Sequence, residues 1–224
     1  MKMTYMYLSA TLLSATLVPV AAHGVNLHVN CSGKGQLSTI NGALKLLDPQ
    51  GPNTLKVSGT CHENVQIQSF DRLTLIAAPG ASINDASSGN SSTLTIVDSE
   101  RISIQGFTIT GGSPAVVCGN NSVCRFSGNT IQGASGDGVV FTRSHGDFGG
   151  DVIQNNAGRG IAVLNASRVI TSPATVQGNG DSGIGVVADS FLFTDNGTLV
   201  QNNALHGVTA STNSTLRMMA TTIS

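Results

Sequence analysis

The chain has 224 residues, with 11 Lys and Arg against 12 Asp and Glu, for a formal net charge of −1. Charged residues make up only 10% and form no basic stripe or block, which argues against a nucleic-acid partner. The 27 glycines, the many Asn, Ser and Thr residues and the absence of Trp suit a fold of short strands and tight turns.

The chain opens on Met-Lys-Met-Thr, runs through an apolar stretch from Met6 to Val20, and reaches small residues at Ala21 and Ala22. That pattern predicts a secretory signal peptide over residues 1–22, cleaved after Ala22. The rival reading is an uncleaved anchor, but the apolar part is too short for an ordinary span. No later stretch approaches the roughly 20 apolar residues of a spanning helix. The mature chain is therefore expected outside the cytoplasm, secreted, periplasmic or in the cell envelope, as a monomer with no membrane span. Loss of Lys2 leaves ten basic against twelve acidic residues, a charge near −2.

Four cysteines follow, Cys31, Cys61, Cys118 and Cys124, in a chain bound for an oxidising compartment. Three pairings are open. The expected ones join Cys118 to Cys124 around the Gly119–Val123 loop and Cys31 to Cys61 across the N-terminal region. Their spacings match no zinc pattern, so no metal is assigned to them.

Within the segment 23–52, apolar residues at Leu37, Ile40, Leu44 and Leu47 follow helical spacing, and Asp48-Pro49 stops the run. A helix here would cover the open end of whatever follows. From Asn53 the pattern changes to alternation: Leu55 and Val57, Val65 and Ile67, Leu73 and Leu75, Leu94 and Ile96, Ile102 and Ile104. The step from Ile67 to Ile96 is 29 residues, so Asp85–Ser92 is read as an insertion.

Beyond Ile104 the chain repeats itself. Gly138-Val-Val, Gly160-Ile-Ala, Gly183-Ile-Gly and Gly207-Val-Thr are spaced 22, 23 and 24 residues apart. Ile131, Ile153, Val176 and Val200 keep the same steps, and Ile109 and Ile223 extend that row at both ends. A third row is read as Ile104, Phe126, Phe148, Ile170, Phe193 and Leu216. Three apolar rows on one period mean three short strands per coil, with coils stacked about 4.8 Å apart around one long core. Asn156, Asn179 and Asn203 recur three residues after the second row and predict an asparagine ladder at a turn.

The expected fold is thus all-β, a single-stranded parallel β-helix over 53–224 with 22–24 residues per coil and an N-terminal α-helical cap. No matching cap follows the last coil. Because Thr221-Thr-Ile223-Ser falls in a predicted strand, the natural chain is expected to continue, or a partner to cover the end.

The Gly-Ile/Val and Val-Gln-Asn-Asn signatures between Ile104 and Ile223 resemble the right-handed parallel β-helix repeats of the pectate-lyase-like superfamily. Val57-Ser-Gly-Thr-Cys-His-Glu-Asn-Val, followed by Phe70-Asp-Arg-Leu-Thr-Leu, resembles the first coils of uncharacterised secreted bacterial members. The resemblance implies a right-handed helix and a family containing polysaccharide lyases, polygalacturonases, mannuronan epimerases, copper-accessory proteins and many members without known activity. It supplies no reaction. The Asn-Thr-Asp, Asp-Asp, Gly-His-Gly and Arg-Ile-Lys motifs of polygalacturonases are missing, and so is the dense acidic Ca²⁺ site of pectate lyases.

In such a helix, functional residues from different coils share a column. The position before each repeated glycine reads Asp137, Arg159, Ser182 and His206. Asp137, Arg159 and His206 are therefore catalytic candidates: a carboxylate, a guanidinium and an imidazole able to bind and protonate an acidic sugar. The plainer reading makes them solvated turn residues, with Asp137 and Arg159 a weak surface pair. Arg143, His145 and Asp147, with Asp151 close by, are candidates for binding a uronate, and for Ca²⁺ if enough oxygens converged. A polar connecting loop accounts for them equally well.

His62-Glu63-Asn64 and Asp71-Arg72 form a third group. Position 66 is Gln, not the second His of a zinc protease. Structural roles near the cap, such as a buried ion pair of Asp71 or Arg72, are expected instead.

No cofactor is assigned. Aromatic platforms for sugar stacking are scarce, since two of nine aromatics, Tyr5 and Tyr7, lie in the leader. The expected role is binding or processing of an extracellular polysaccharide along a lateral groove, with lyase, hydrolase and epimerase chemistry all open. The competing class is a non-catalytic structural or adhesive envelope protein.

Overall fold

A computed structural model describes residues 24–224, so the leader expected over 1–22 lies outside the described residues. The chain winds repeatedly through three parallel sheets. Sheet A has nine strands, from Asn26–Asn30 and Asn53–Ser58 to Thr215–Met218. Sheet B has eight, from Thr60–His62 to Thr222–Ile223, and sheet C seven, from Val65–Gln68 to Val208–Ala210. Each coil contributes one strand to A, then B, then C, so the seven strands of C mark seven complete coils of a right-handed parallel β-helix. Backbone groups of each inner strand bond to the coils before and after it, which leaves edges only at the two ends.

Two of the three apolar rows stack as their spacing predicts. In sheet B, Ile83, Ile109, Ile131, Ile153, Val176, Val200 and Ile223 stand in register. In sheet C, Val116, Val139, Ile161, Ile184 and Val208 do the same. Unequal steps are taken up in the turns, and the 29-residue step aligns Ile67 with Ile96, as the Asp85–Ser92 insertion requires.

The third row is correct only for Ile104, Phe126 and Phe148. Phe148 aligns with Thr171, not Ile170, and Thr171 with Thr194, not Phe193. The turn before Arg168 holds one residue more than the turn before His145. A one-residue slip moves every side chain of a strand to its other face. Val169, Thr171, Leu192 and Thr194 therefore point inward, while Ile170, Phe191 and Phe193 face out. The sequence reading followed apolar residues, but the inward threonines are satisfied in place. The Thr171 hydroxyl meets that of Thr198 at 3.1 Å, and Thr194 meets Thr221.

Between these walls Phe126 and Phe148 stack at 5.2 Å, and Phe141 meets both edge-on. Gly146 lies beneath that cluster. A Cβ there would come within 2.1 Å of the Phe141 ring, so only glycine fits. The Cys118–Cys124 disulfide closes the adjoining corner between sheets C and A, and Cys31–Cys61 ties the N-terminal strand to the first coil, both as expected.

Buried turns are held by ladders of polar side chains. The Nδ2 of Asn156 donates to Oδ1 of Asn179 at 3.0 Å, and that of Asn179 to Asn203 at 2.9 Å. The left-handed backbone falls to the residue before each rung, Asn155, Gly178 and Asn202, and to Gly133 at the same place one coil earlier. A serine ladder, absent from the sequence reading, lines the turn from C to A. Each hydroxyl of Ser99, Ser122, Ser167, Ser190 and Ser214 accepts a backbone N–H one coil below.

The cap is smaller than expected. A short turn at Gln36–Ser38 precedes a helix of five residues, Ile40–Leu44, which buries Ile40, Ala43 and Leu44. Leu47 is buried beyond it, but Leu37 is 38% exposed and takes no part. Thr39 caps the helix through its hydroxyl. Glu63 reaches up from the first coil to accept the backbone N–H groups of Ile40 and Asn41, and Asn41 donates to the carbonyl of Asn64. Glu63 and Asn64 of that group thus fasten the cap, while His62 is exposed.

Candidate functional site

The outer face of sheet A concentrates the charged and aromatic side chains. Of the seven arginines, six (Arg72, Arg101, Arg125, Arg143, Arg168 and Arg217) lie on this sheet or in the turn leading into it. Strand pairing sorts the outward residues into two columns. One runs Val123, His145, Arg168, Phe191 and Thr215. The other runs Ser103, Arg125, Asp147, Ile170, Phe193 and Arg217.

Toward the later coils this face is apolar and cationic. The guanidinium of Arg168 stands 4.7 Å over the Phe191 ring, and that of Arg217 5.4 Å over Phe193. Stacking on a ring holds each guanidinium in one orientation and leaves its N–H fork free for a carboxylate. Neither arginine makes an ion pair among the described residues. Sequence reasoning missed this ledge because the third apolar row, read without the register slip, places Phe193 in the core. The signal was available in the alternation Arg168-Val-Ile-Thr171 and Phe191-Leu-Phe-Thr194, with both members ending on threonine.

In the earlier coils the face is more polar. Arg125 and Asp147 pair at 3.5 Å and are both well exposed. Asp71 is not buried as expected: it accepts from Arg72 and Arg101 at the surface. Its hydrogen bond from Arg101 holds the carboxyl below the usual carboxylate range. Arg143 sits in a left-handed turn and donates to Asn120 Oδ1 at 2.8 Å. With His145, Glu100 and Asn121 it borders a cleft of about 450 Å³ at the corner of sheets C and A. Asp147 lies outside that cleft, in two smaller hollows it shares with Arg125. The three candidate binding residues thus share one wall but not one pocket.

Asp147 faces out from sheet A, whereas Asp151 is buried at the start of the next strand, Asp151–Gln154 of sheet B, so they do not share a cation. Asp151 is 1% exposed. Its Oδ1 accepts from the backbone and side-chain amides of Asn129 and its Oδ2 from Gly149. Burial pushes its carboxyl above the usual value despite those bonds. Among the described residues, the group of three potential ligands that converges is Cys31, Cys61 and Glu63, whose cysteines are tied in a disulfide.

The column of Asp137, Arg159, Ser182 and His206 stacks in the turn from B to C. Gly138 donates to the Arg159 carbonyl, Gly160 to Ser182 and Gly183 to His206. Arg159 donates to Asp137 through its backbone N–H at 2.8 Å, its Nε at 3.3 Å and its guanidinium at 2.8 Å. Its side chain lies over Gly185, where a Cβ would touch its Cδ at 2.8 Å. His206 is exposed and separated from Arg159 by the Ser182 coil.

The family described as right handed beta helix region matches residues 80–224. The chain belongs to that family. Among solved structures, this β-helix protein is similar to pectate lyase Pel9A at a TM-score of 0.61 with 9% identity. The match covers 83% of this chain and 56% of the lyase, so the chain spans little more than half the lyase's length. It is also similar to the pectin methylesterase from Aspergillus niger, at a TM-score of 0.54 with 16% identity, covering 95% and 88% of the two chains. At such identities the likeness is one of fold. No curated protein matches the β-helix chain.

Proposed function

We propose that this protein binds an acidic polysaccharide laid along the outer face of sheet A. The observation that carries the reading is the pair of ring-stacked arginines, Arg168 over Phe191 and Arg217 over Phe193, with Arg125, Arg143 and His145 on the same wall. Aligned guanidiniums suit uronate carboxylates, and the phenylalanine faces suit the apolar faces of sugar rings. Structural neighbours are a pectate lyase and a pectin methylesterase, which supports a uronate polymer as the ligand class. Two disulfides support work outside the cytoplasm, in a secreted or envelope setting.

The test is affinity electrophoresis of the full chain in gels containing polygalacturonate. Binding should weaken about tenfold in the Arg168→Ala/Arg217→Ala variant, or roughly 1.4 kcal/mol. Retention of wild-type migration by that variant would move the site elsewhere, and failure to bind any acidic polysaccharide would remove the reading altogether.

A second reading takes the turn from B to C, where the Asp137–Arg159 pair would orient a substrate for proton transfer involving His206. The geometry favouring it is the three-bond contact that presents Asp137 and Arg159 as one unit. Product analysis on polygalacturonate with Arg159→Ala and His206→Ala tests it. Turnover that survives both substitutions would leave this column a structural feature of the turn.

A further inference from the structure

We infer a second, independent glycan surface on the outer face of sheet B, fitted to a neutral polysaccharide. This wall differs from sheet A in charge. Its outward residues pair off along the coils as Ser82 and Asn84, Thr108 and Thr110, Thr130 and Gln132, Val152 and Gln154, Thr175 and Gln177, Leu199 and Gln201. Apart from His62 in the first strand, no outward side chain of the described sheet B strands is ionisable.

The two outward columns form unlike rails. One is of amides. The Nε2 of Gln154 donates to Gln132 Oε1 at 3.1 Å, Gln177 to Gln154 at 2.9 Å, and Gln201 to Gln177 at 2.8 Å. Each bond uses one of two N–H groups and one of two carbonyl lone pairs. Every inner rung therefore keeps one donor and one acceptor for a ligand, repeated once per coil, about every 4.8 Å. The ladder also fixes the glutamine rotamers before any ligand arrives, which removes an ordering penalty from binding.

The other rail, Thr108, Thr130, Val152, Thr175 and Leu199, offers methyl groups and hydroxyls. A pyranose chain running parallel to the coil axis matches both rails, with ring hydroxyls on the amides and C–H edges on the methyls. A polyanion or polycation would find no counter-charge, which is why the ligand class is neutral. This surface stands apart from the one proposed on sheet A, and the two are separable by ligand and by salt.

The experiment is depletion of the full chain from solution by microcrystalline cellulose, with immobilised polygalacturonate as a parallel matrix. Wild type is expected to be depleted by cellulose equally in low salt and in about 0.5 M NaCl, where exposed charges are screened. Gln154→Lys/Gln177→Lys should weaken cellulose binding about tenfold or more while its polygalacturonate binding persists. Thr130→Lys, on the other rail, provides the same test should the double variant fold poorly by circular dichroism. Three results on the cellulose matrix would overturn the inference. These are no depletion of wild type, depletion that salt abolishes, or equal depletion of folded variants. Concentration-dependent self-association of wild type that the lysine variants abolish, without cellulose binding, would assign the face to a second copy of the chain and also overturn it.

Discussion

Gly146 shows how a single position can be fixed by its neighbours. Its missing Cβ makes room for the Phe141 edge between Phe126 and Phe148. Gly146→Ala should cost about 1–3 kcal/mol through overpacking. A protein of this size then melts roughly 2–4 °C lower per kcal/mol, measurable by thermal unfolding.

Asp151 makes a complementary case in pH. Burial favours its neutral form, so the folded chain holds this proton more tightly than the unfolded one. Between the ordinary carboxylate value near ~4 and the raised folded value, the native state binds more protons, and stability from this group grows as pH falls. Urea unfolding compared with Asp151→Ala should show wild type gaining relative stability as pH falls from neutral toward the ordinary carboxylate value near ~4. An unchanged difference across that range would mean the carboxylate is not held as the structure places it. In the sequence Asp151 stood four residues from Asp147 and was grouped with it, because nothing local tells an inward strand position from an outward one.

Ladders and loops act as units. Asn179 is an inner rung whose side chain gives two bonds, to Asn203 Oδ1 and the Ile153 carbonyl, and accepts two from Asn156, and Asn156 loses its partner when the rung is removed. Asn179→Ala should cost about 2–4 kcal/mol, more than Asn203→Ala at the half-buried end of the ladder, by chemical denaturation.

The Asp85–Ser92 insertion is organised by the carboxylate of Asp85. Burial works against its charge but is outweighed by hydrogen bonds from Ser87, Asn64 and Gly89, which hold it well below the usual carboxylate range. A depressed folded value means its stabilisation is complete above about pH 4 and is lost as pH falls below that. Asp85→Ala should therefore destabilise by about 1–3 kcal/mol at pH 7 and by less at pH 2–3. The asparagine ladder was legible because its residues recur visibly with the period. The serine ladder recurs too, but serine is common enough in this chain to hide it.

Across the molecule, the stack separates chemistry by wall: arginines and phenylalanines on sheet A, uncharged amides and hydroxyls on sheet B. Binding of polygalacturonate should accordingly weaken as ionic strength rises, with little change in the unfolding midpoint, because the guanidiniums lie outside the core. The ends depend on different fastenings from the middle. In a chain-entropy model, the Cys31–Cys61 bridge, which spans 30 residues, contributes about 3–4 kcal/mol, against about 2 for the 6-residue Cys118–Cys124 bridge. Cys31→Ser/Cys61→Ser should lower the midpoint more, and hydrogen exchange should quicken first in Asn26–Asn30 and the cap helix.

By itself the sequence determined the period, the three walls, the asparagine ladder and the insertion, because each recurs or breaks step at spacings that only stacked coils satisfy, while it left three cysteine pairings open for the structure to decide. Tertiary structure decided the register of the third wall after Phe148. Side chains there alternate with a period of two, and one added residue in a turn exchanges inside for outside with no change in composition. That exchange brought Phe191 and Phe193 to the surface beside Arg168 and Arg217. Surface columns depend on register more than core rows do: a core accepts any apolar residue that fills it, whereas a binding face exists only when particular side chains from different coils come level.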